Sequence, residues 1–506
     1  MNAPLPDAQA VAETVKVWGA ANPHFAARLA AGMPTVQALT RLGLELQRGN
    51  QIPEAIAVLR AALALTPNDP VPWCNYAMAL DRGNFPAESA AGLEHSLALS
   101  RQQPDTWLLL GMVRKKLGEV GAAEAAFRAA LELDSNSSAA WQLLGLLKQE
   151  QKDFAGAADC LNACVQAGGA DAAVLANLGK LLFQLGRFLE ADDAYQRAAA
   201  LDPVNPHYRQ MLRQTGFLRA MIQGGATDAA IADYQNAFAP AERPTEKDLE
   251  TWLGSAFSQL SGFGYLDAAA RLGRKLIELW PDRSDTQYLL KAVAGDSALE
   301  RSTPEYVVGH FDAFAEGFEA KLVGALGYDV PEKLGATLRE FVVAGHPHTA
   351  LDAGCGTGLC GPYLRPLSRE LIGVDLSPKM LEQAARRKIY DALICEELIA
   401  YLQKSPKRFD LIVAADVMVY FGELASLVGA LATALQPGGL LAFSTESWAG
   451  EGYRLQPSGR FAQAPAYVRS AAAAAFVEIS CVATTLRLEA TGRLPGNLFV
   501  FRRRGF

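Results

Sequence analysis

The stretch 349–358, Thr-Ala-Leu-Asp-Ala-Gly-Cys-Gly-Thr-Gly, decides how the second half of this chain is read. A short apolar run ends in Asp352, and glycines follow at alternate positions, Gly354, Gly356 and Gly358. The next residues, 359–367, are expected to open a helix. A turn of this composition lets backbone pass close to a ligand, since no Cβ stands in the way. It also points the free N–H groups of a helix start at whatever is bound there. The acid two residues before the first glycine argues against a phosphate cradle, because it would repel an anion. It suits a ligand that carries an ammonium or a sulfonium beside a carboxylate.

Working outward, strands and helices alternate. A strand at 348–353 leads through the glycines into a helix near 358–367. Strand 371–375, helix 379–388, strand 393–395 and helix 397–404 follow. Then come a buried strand at 409–415, a helix at 424–435 closed by Pro437-Gly438-Gly439, and a strand at 440–444. After an irregular stretch at 447–463, a helix at 465–475 precedes a hairpin of strands 477–487 and 498–502. Regular βα alternation predicts a doubly wound, mostly parallel sheet. An aromatic-rich helix at 305–320, with Tyr306, Phe311, Phe314 and Phe318, stands ahead of the first strand.

Gly356 to Gly361 also satisfies G-x-G-x-x-G, so a nicotinamide cofactor is weighed as well. Three features favour S-adenosylmethionine instead. Asp352 precedes the glycines in D-x-G-x-G-x-G spacing, Asp375 lies 17 residues after Gly358, and the chain closes on a hairpin strand rather than a second nucleotide-binding half. An acid at the second strand's end suits ribose hydroxyls under either reading.

On the glycine loop, Val374-Asp375-Leu376-Ser377, Phe409-Asp410-Leu411-Ile412 and Leu435-Gln-Pro437-Gly438-Gly439, residues 300–506 resemble the class I S-adenosylmethionine-dependent methyltransferases. The resemblance implies a Rossmann-like α/β fold with a mostly parallel seven-stranded sheet and an antiparallel last strand. It implies that the backbone of Gly354, Cys355, Gly356 and Gly358 holds the methionine part and that Asp352 supports its ammonium. Asp375 would take the ribose hydroxyls, Leu376 and Met380 would line the adenine, and Glu397, with Leu398 beside it, would reach the adenine amino group; Glu396 competes for that role. Ala415 belongs to the same rim. Asp416 interrupts the apolar run 411–419, and an acid there is costly to bury unless paired. It is the first catalytic candidate, with Tyr420 and His310 beside it. Tyr453, Arg460 and Tyr467 are expected around the acceptor, and the segment Gly459–Gln463 departs from the family in ending on Gln463 rather than His. The expected chemistry is direct displacement of a methyl group to an O or N acceptor, small molecule or peptide. The rival readings are a cofactor-binding but inactive scaffold and an NAD(P)-dependent reductase. No Asn/Asp-Pro-Pro-Tyr segment follows the fourth strand, which disfavours amino methylation of DNA bases or protein glutamine. No metal-ligand cluster is found in the sequence.

The first half has a different signature. Trp73, Trp107 and Trp141 are spaced 34 apart, with Leu39 and Leu175 in phase. Four residues on come Gly43, Ala77, Gly111, Gly145 and Gly179; sixteen on come Ala55, Ser89, Ala123, Ala157 and Ala191. This resembles the tetratricopeptide repeat. Five repeats over 36–205 predict an all-α solenoid, after a helical lead-in over 1–35. A helical capping or bridging region with one degenerate unit fills 206–300, and the methyltransferase-like domain takes 301–506. The combination resembles the bacterial tetratricopeptide-repeat methyltransferases. The groove of such an array suits a protein or peptide partner, with a spacer or a homodimerisation arm as the plainer alternative.

With 506 residues, half of them apolar, and a net charge of −7, the chain carries no electrostatic footprint for nucleic acid. No apolar run approaches the ~20 residues needed to span a bilayer. Seven scattered cysteines without a C-x-x-C pair point to a reducing, cytoplasmic setting.

Overall fold

The computed structural model describes residues 5–296, 298–342, 348–405, 408–489 and 492–505. The chain forms two compact units, Met1–Leu212 and Arg213–Phe506.

The first unit is built of paired helices. Thr35–Arg48 pairs with Ile52–Leu65, Pro70–Arg82 with Pro86–Leu99, and Pro104–Lys116 with Val120–Leu133; Ser138–Glu150 with Phe154–Gln166 and Ala172–Gln184 with Phe188–Leu201 complete the series. The small residue four after each phase position lets the two helices of a pair touch. A Cβ at Gly111 would collide with the Phe127 ring, and one at Gly179 would stand 2.9 Å from Tyr195. Each of these large partners lies sixteen residues later, so the contact repeats with the period. The tryptophans do more than fill space. The indole N–H of Trp73 donates to Pro67 O (2.8 Å), that of Trp107 to Arg101 O (3.1 Å) and that of Trp141 to Ser135 O (2.9 Å). Each ring thus ties its helix to the turn that precedes it. The lead-in forms two helices, Ala8–Ala21 capped by Asp7 and Pro23–Ala30 capped by Asn22. Phe25 and Val11 join the first buried cluster.

The helix Pro206–Ile222 runs across the boundary between the units and is closed at Gly224, φ +85°, and in the second unit four further α-helices up to Val293 come before the aromatic helix and the sheet. Nine strands follow among the described residues: β1 His348–Ala353, β2 Ser368–Asp375, β3 Ala392–Cys395, β4 Phe409–Ala414, β5 Leu435–Ser447, β6 Tyr453–Leu455, β7 Phe461–Gln463, β8 Phe476–Glu489 and β9 Gly492–Arg503. β3, β2, β1, β4 and β5 lie parallel in that order. β9 runs antiparallel to β5, and β8 antiparallel to β9. These seven strands are the expected methyltransferase-type sheet with its antiparallel last strand. Alternate residues feed the two faces. Leu351, Ile372, Ile412 and Leu441 pack into one core, and Ala350, Leu371, Leu411 and Leu440 into the other.

Four local expectations are corrected. The helix after the glycines is only Gly361–Leu364, followed by a 3-10 turn at Arg365–Leu367, because Pro366 lacks an N–H and β2 begins at Ser368. Pro437-Gly438-Gly439 does not end a helix but lies inside β5, whose pairing with β4 shifts register there. The stretch at 447–463 is not irregular: β6 and β7 form a short hairpin whose second strand joins the end of β5. The aromatic helix stops at Pro304–Phe314 and a π-helical turn, Ala320–Ala325, follows; the Phe314 side chain lies outside the described residues. No helix among the described residues is long and apolar enough to cross a membrane.

Candidate active site

A cavity of about 420 Å³ opens at the carboxyl ends of β1, β2 and β4, where doubly wound sheets hold ligands. Its first wall is the turn after β1. Gly354, Gly356 and Gly358 all take positive φ, at +68°, +53° and +84°. A Cβ on Gly354 would strike Val417, whereas one on Gly356 would meet nothing within 4 Å. The Gly356 position therefore faces open space. The amides of Gly354 and Cys355 donate to Val374 O at the end of β2 (2.8 and 3.0 Å), and the Gly356 amide donates to Asp375 Oδ2 (2.8 Å). Asp375 Oδ1 accepts from the Ser377 amide (2.8 Å). The glycine turn and the acid of β2 are thus one hydrogen-bonded unit.

Asp352 is 1% exposed and accepts a 2.6 Å hydrogen bond from the Tyr390 hydroxyl. Burial pushes its carboxyl up to about 7; the Tyr390 bond opposes this and nearby Asp375 adds to it. Burial also raises Asp375, against the amides of Ser377 and Gly356. Both acids would gain from a cationic or hydroxyl-rich ligand that restores the favourable contacts of the charged form.

At the next wall, Leu376, Glu396, Glu397 and Leu398 line the cavity. Glu397 caps the helix Leu398–Lys404 through the Ala400 amide (2.8 Å) and stands 3.6 Å from Arg301. Glu396 pairs with Lys404.

The far wall is ionic. Asp416 has φ +56°, unusual for a side chain other than glycine. Its amide donates to Ser444 Oγ (2.9 Å), and its Oδ2 accepts from Arg460 (3.1 Å) and Arg487 (3.4 Å). Both guanidinium groups also donate to Glu446, which is 2% exposed, and Arg487 reaches Glu489 at 2.6 Å. Burial alone would pull the Arg460 guanidinium down, but Glu446, Tyr420 and Asp416 together hold it well above its ordinary value. Two cations and three carboxylates form this cluster, so buried charge is largely paired. Tyr420 lies against it, its hydroxyl 3.4 Å from Arg460. Burial raises its phenol above the usual range.

The aromatic helix covers the opening. His310 stacks on Tyr306 with centroids 5.8 Å apart, and Phe311 meets the Tyr420 ring edge-on at 5.7 Å. Main-chain bonds hold both ends of this covering segment: Ser302 N to Tyr420 O (2.8 Å), and Leu488 N to Leu326 O (2.8 Å). Between them, Asp312 accepts from Ser377 Oγ (2.6 Å) and Glu319 pairs with Arg387 (2.6 Å).

The cavity therefore brings together Asp352, Gly354, Cys355, Gly356, Asp375, Leu376, Glu397, Leu398, Ala415, Asp416, Tyr420 and His310. Gly358 and Met380 are not among its lining residues. Met380 is 1% exposed and faces the core, its amide capped by Ser377. Of the three residues expected around an acceptor, only Arg460 lines the space. The Tyr467 hydroxyl is spent on Leu424 N and Gly422 O, and Tyr453 packs on Phe461. Gln463, in the place where a histidine was expected, is fully buried and donates to both Met418 O and Phe421 O at 2.8 Å. It fixes the turn that carries Tyr420. Sequence reasoning missed Tyr390, Glu446, Arg487 and Glu489. Glu446 had a signal, an acid at the carboxyl end of β5, as Asp416 is an acid just past the carboxyl end of β4. No metal-type cluster of His, Cys, Asp and Glu occurs among the described residues.

A methyltransferase-domain family profile matches residues 351–441, and tetratricopeptide-repeat profiles match 104–137 and 172–203. The ubiquinone biosynthesis O-methyltransferase of Burkholderia multivorans is 30% identical over 103 residues, 19% of this chain and 43% of that protein. The malonyl-[acyl-carrier protein] O-methyltransferase of Enterobacter lignolyticus is 35% identical over 95 residues, 19% of this chain and 38% of that one. The chain spans less than half the length of these curated relatives. The crystal structure of N-methyltransferase NodS from Bradyrhizobium japonicum WM9, in complex with S-adenosyl-L-homocysteine, aligns at 20% identity with a TM-score of 0.29, covering 34% of this chain and 87% of that one. The chain joins tetratricopeptide repeats in its N-terminal region to a methyltransferase domain in its C-terminal region.

Proposed function

We propose that the C-terminal unit is an S-adenosylmethionine-dependent methyltransferase and that the repeats dock the protein or peptide it acts with. The observation that carries the reading is the convergence of Asp352, the Gly356 turn and Asp375 on one cavity. Asp352 meets the cofactor's ammonium, Asp375 its ribose hydroxyls, and Leu376, Glu397 and Leu398 its adenine. When bound, the cofactor supplies an electrophilic methyl group on a sulfonium. The protein contributes alignment and exclusion of water, through the covering helix Pro304–Phe314 and the turn bearing Tyr420. Asp416 orients rather than accepts a proton, since two guanidinium groups and Ser444 already hold its carboxylate. His310 and Tyr420 remain the groups that face an O or N acceptor.

The docking half of the reading rests on a row of side chains at the repeat period. Leu44, Met78, Met112 and Leu146 stand 34 apart and all keep part of their surface in solvent. Such a row suits an extended apolar segment of a partner. The setting is cytoplasmic, where the cysteines stay as thiols.

Calorimetric titration of S-adenosylmethionine into the wild type and Asp375→Ala tests the cofactor assignment. Binding abolished by the substitution supports it; a wild type that binds nothing overturns it. An inactive cofactor-binding scaffold is the second reading, favoured by the full pairing of Asp416. Release of S-adenosylhomocysteine in the presence of a cell extract as acceptor source separates the two.

A further inference from the structure

Tyr390 lies in the turn between the helix Pro378–Arg386 and β3, far in sequence from the glycine loop. Neighbours on both sides fix it. Arg387 donates to Thr357 O in the glycine turn (2.7 Å), and Asp391 accepts from the Leu371 amide (2.7 Å) and from Arg365 (2.7 Å). The ring lies where side chains at Gly358, Gly361 and Gly373 would otherwise stand: a Cβ at each would come within 3.0 to 3.1 Å of Tyr390 atoms. Two of the loop's glycines therefore make room for this ring and not for a ligand. From there the hydroxyl reaches Asp352 Oδ2 at 2.6 Å.

We propose that Tyr390 is a positioning residue for cofactor binding, holding the Asp352 carboxylate in place and in its charged form to receive the cofactor's ammonium. The proposal rests on the cofactor reading above. A carboxylate enclosed at the end of β1 has little water to stabilise its charge, so a phenol donor is what keeps the anion accessible near neutral pH. The titratable groups facing Asp352 are Tyr390, Asp375 at the end of β2, and the thiols of Cys355 and Cys360, which burial keeps protonated well above their ordinary range. Asp375 opposes the charge on Asp352, which leaves the Tyr390 hydroxyl as the group that favours it. Removing that hydroxyl raises the Asp352 pKa and shifts the pH at which the ammonium site is ready.

The test is titration of S-adenosylhomocysteine into the full chain between pH 5.5 and 8.5, for the wild type, Tyr390→Phe, Asp352→Asn and the double variant. The ratio of variant to wild-type affinity cancels the ligand's own titration. Tyr390→Phe is expected to bind about tenfold more weakly at pH 6 and within about threefold at pH 8.5. Its midpoint is expected to rise by roughly one pH unit. Asp352→Asn should flatten the profile, and adding Tyr390→Phe to it should bring no further pH dependence. A Tyr390→Phe profile parallel to the wild type, whether unchanged or uniformly weaker, overturns the proposal by leaving the ring a packing role only. If Tyr390→Phe fails to fold, an Asp352→Asn affinity that keeps a constant ratio to the wild type across this pH range overturns it on its own. A wild type that does not bind the ligand at any pH overturns the cofactor reading as well, and is told apart by that fact.

Discussion

Charge sits at opposite depths in the two units. In the repeats, ion pairs such as Lys116–Asp81 and Lys115–Glu150 lie on the surface, with side-chain exposures of 54%/25% and 31%/59%. In the second unit, Arg487 and Glu446 keep 8% and 2%. The repeats are held by shape: a small residue in one helix admits a large one sixteen positions on, and the interior is mostly apolar, Asp192 being an enclosed acid that accepts a hydrogen bond from Gln196. The sheet unit spends stability on enclosed acids and guanidinium groups that a core alone does not need. A region that only has to present a surface can be apolar inside, whereas a region that handles a charged ligand has to keep charges ready.

Substitutions break this comparison at different points. Phe127→Ala in the repeats and Arg460→Met at the ionic wall should each cost about 3–5 kcal/mol of stability, by cavity formation and by stranding buried carboxylates respectively. Chemical denaturation reads both, and only Arg460→Met should also change ligand binding. If Phe127→Ala weakens S-adenosylmethionine binding to the same degree, the division of labour between the units fails.

Next comes Asp375→Ala, expected to lower cofactor affinity by about 2–4 kcal/mol without loss of fold, read by calorimetry with far-UV circular dichroism as control.

Asp352→Asn sharpens the contrast through pH. With burial placing the folded-state carboxyl at about 7, above the value near 4 of an unfolded chain, protonation is favoured in the folded state. The resulting stability is complete below about pH 4 and is lost as pH rises through 7. The ligand-free wild type should therefore lose stability between pH 4 and 7, and Asp352→Asn should not. At pH 8 the variant should be the more stable by about 4 kcal/mol, while binding cofactor more weakly. Thermal melts at pH 4.5 and 8 check the sign.

The smallest effect is expected from Lys116→Ala, at under about 1 kcal/mol and shrinking further in salt. Melts at two salt concentrations read it.

How much of this was legible in the sequence follows the same divide. The repeat period stood in the open because each contact recurs at a fixed offset, so Trp73, Trp107 and Trp141 announced one another. Asp352, Gly356 and Asp375 were legible because a strand end and a glycine turn are local events. The ionic wall was only half visible. Asp416 interrupts the apolar run 411–419 just past β4, but its partners Arg460 and Arg487 lie 44 and 71 residues away, at separations set by how β5, the β6–β7 hairpin and β8 close on one another. Tyr390 gave no local sign, since its role depends on three glycines from two other elements. The helix expected over 358–367 shrinks to Gly361–Leu364 because Pro366 cannot donate and β2 already starts at Ser368, a tertiary pairing that composition does not display.

The surface pairs of the repeats carry one more meaning. Lys116, in the third repeat, meets Asp81 in the second, and Lys115 meets Glu150 in the fourth, each at an offset of 35 residues. By backbone and core alone, residues 104–137 are a removable cassette, and their neighbours would stack as before. Excising them would bring Asp81 to the position facing Glu150, acid against acid. The repeats are alike in outline but not interchangeable, and the charges record which one follows which.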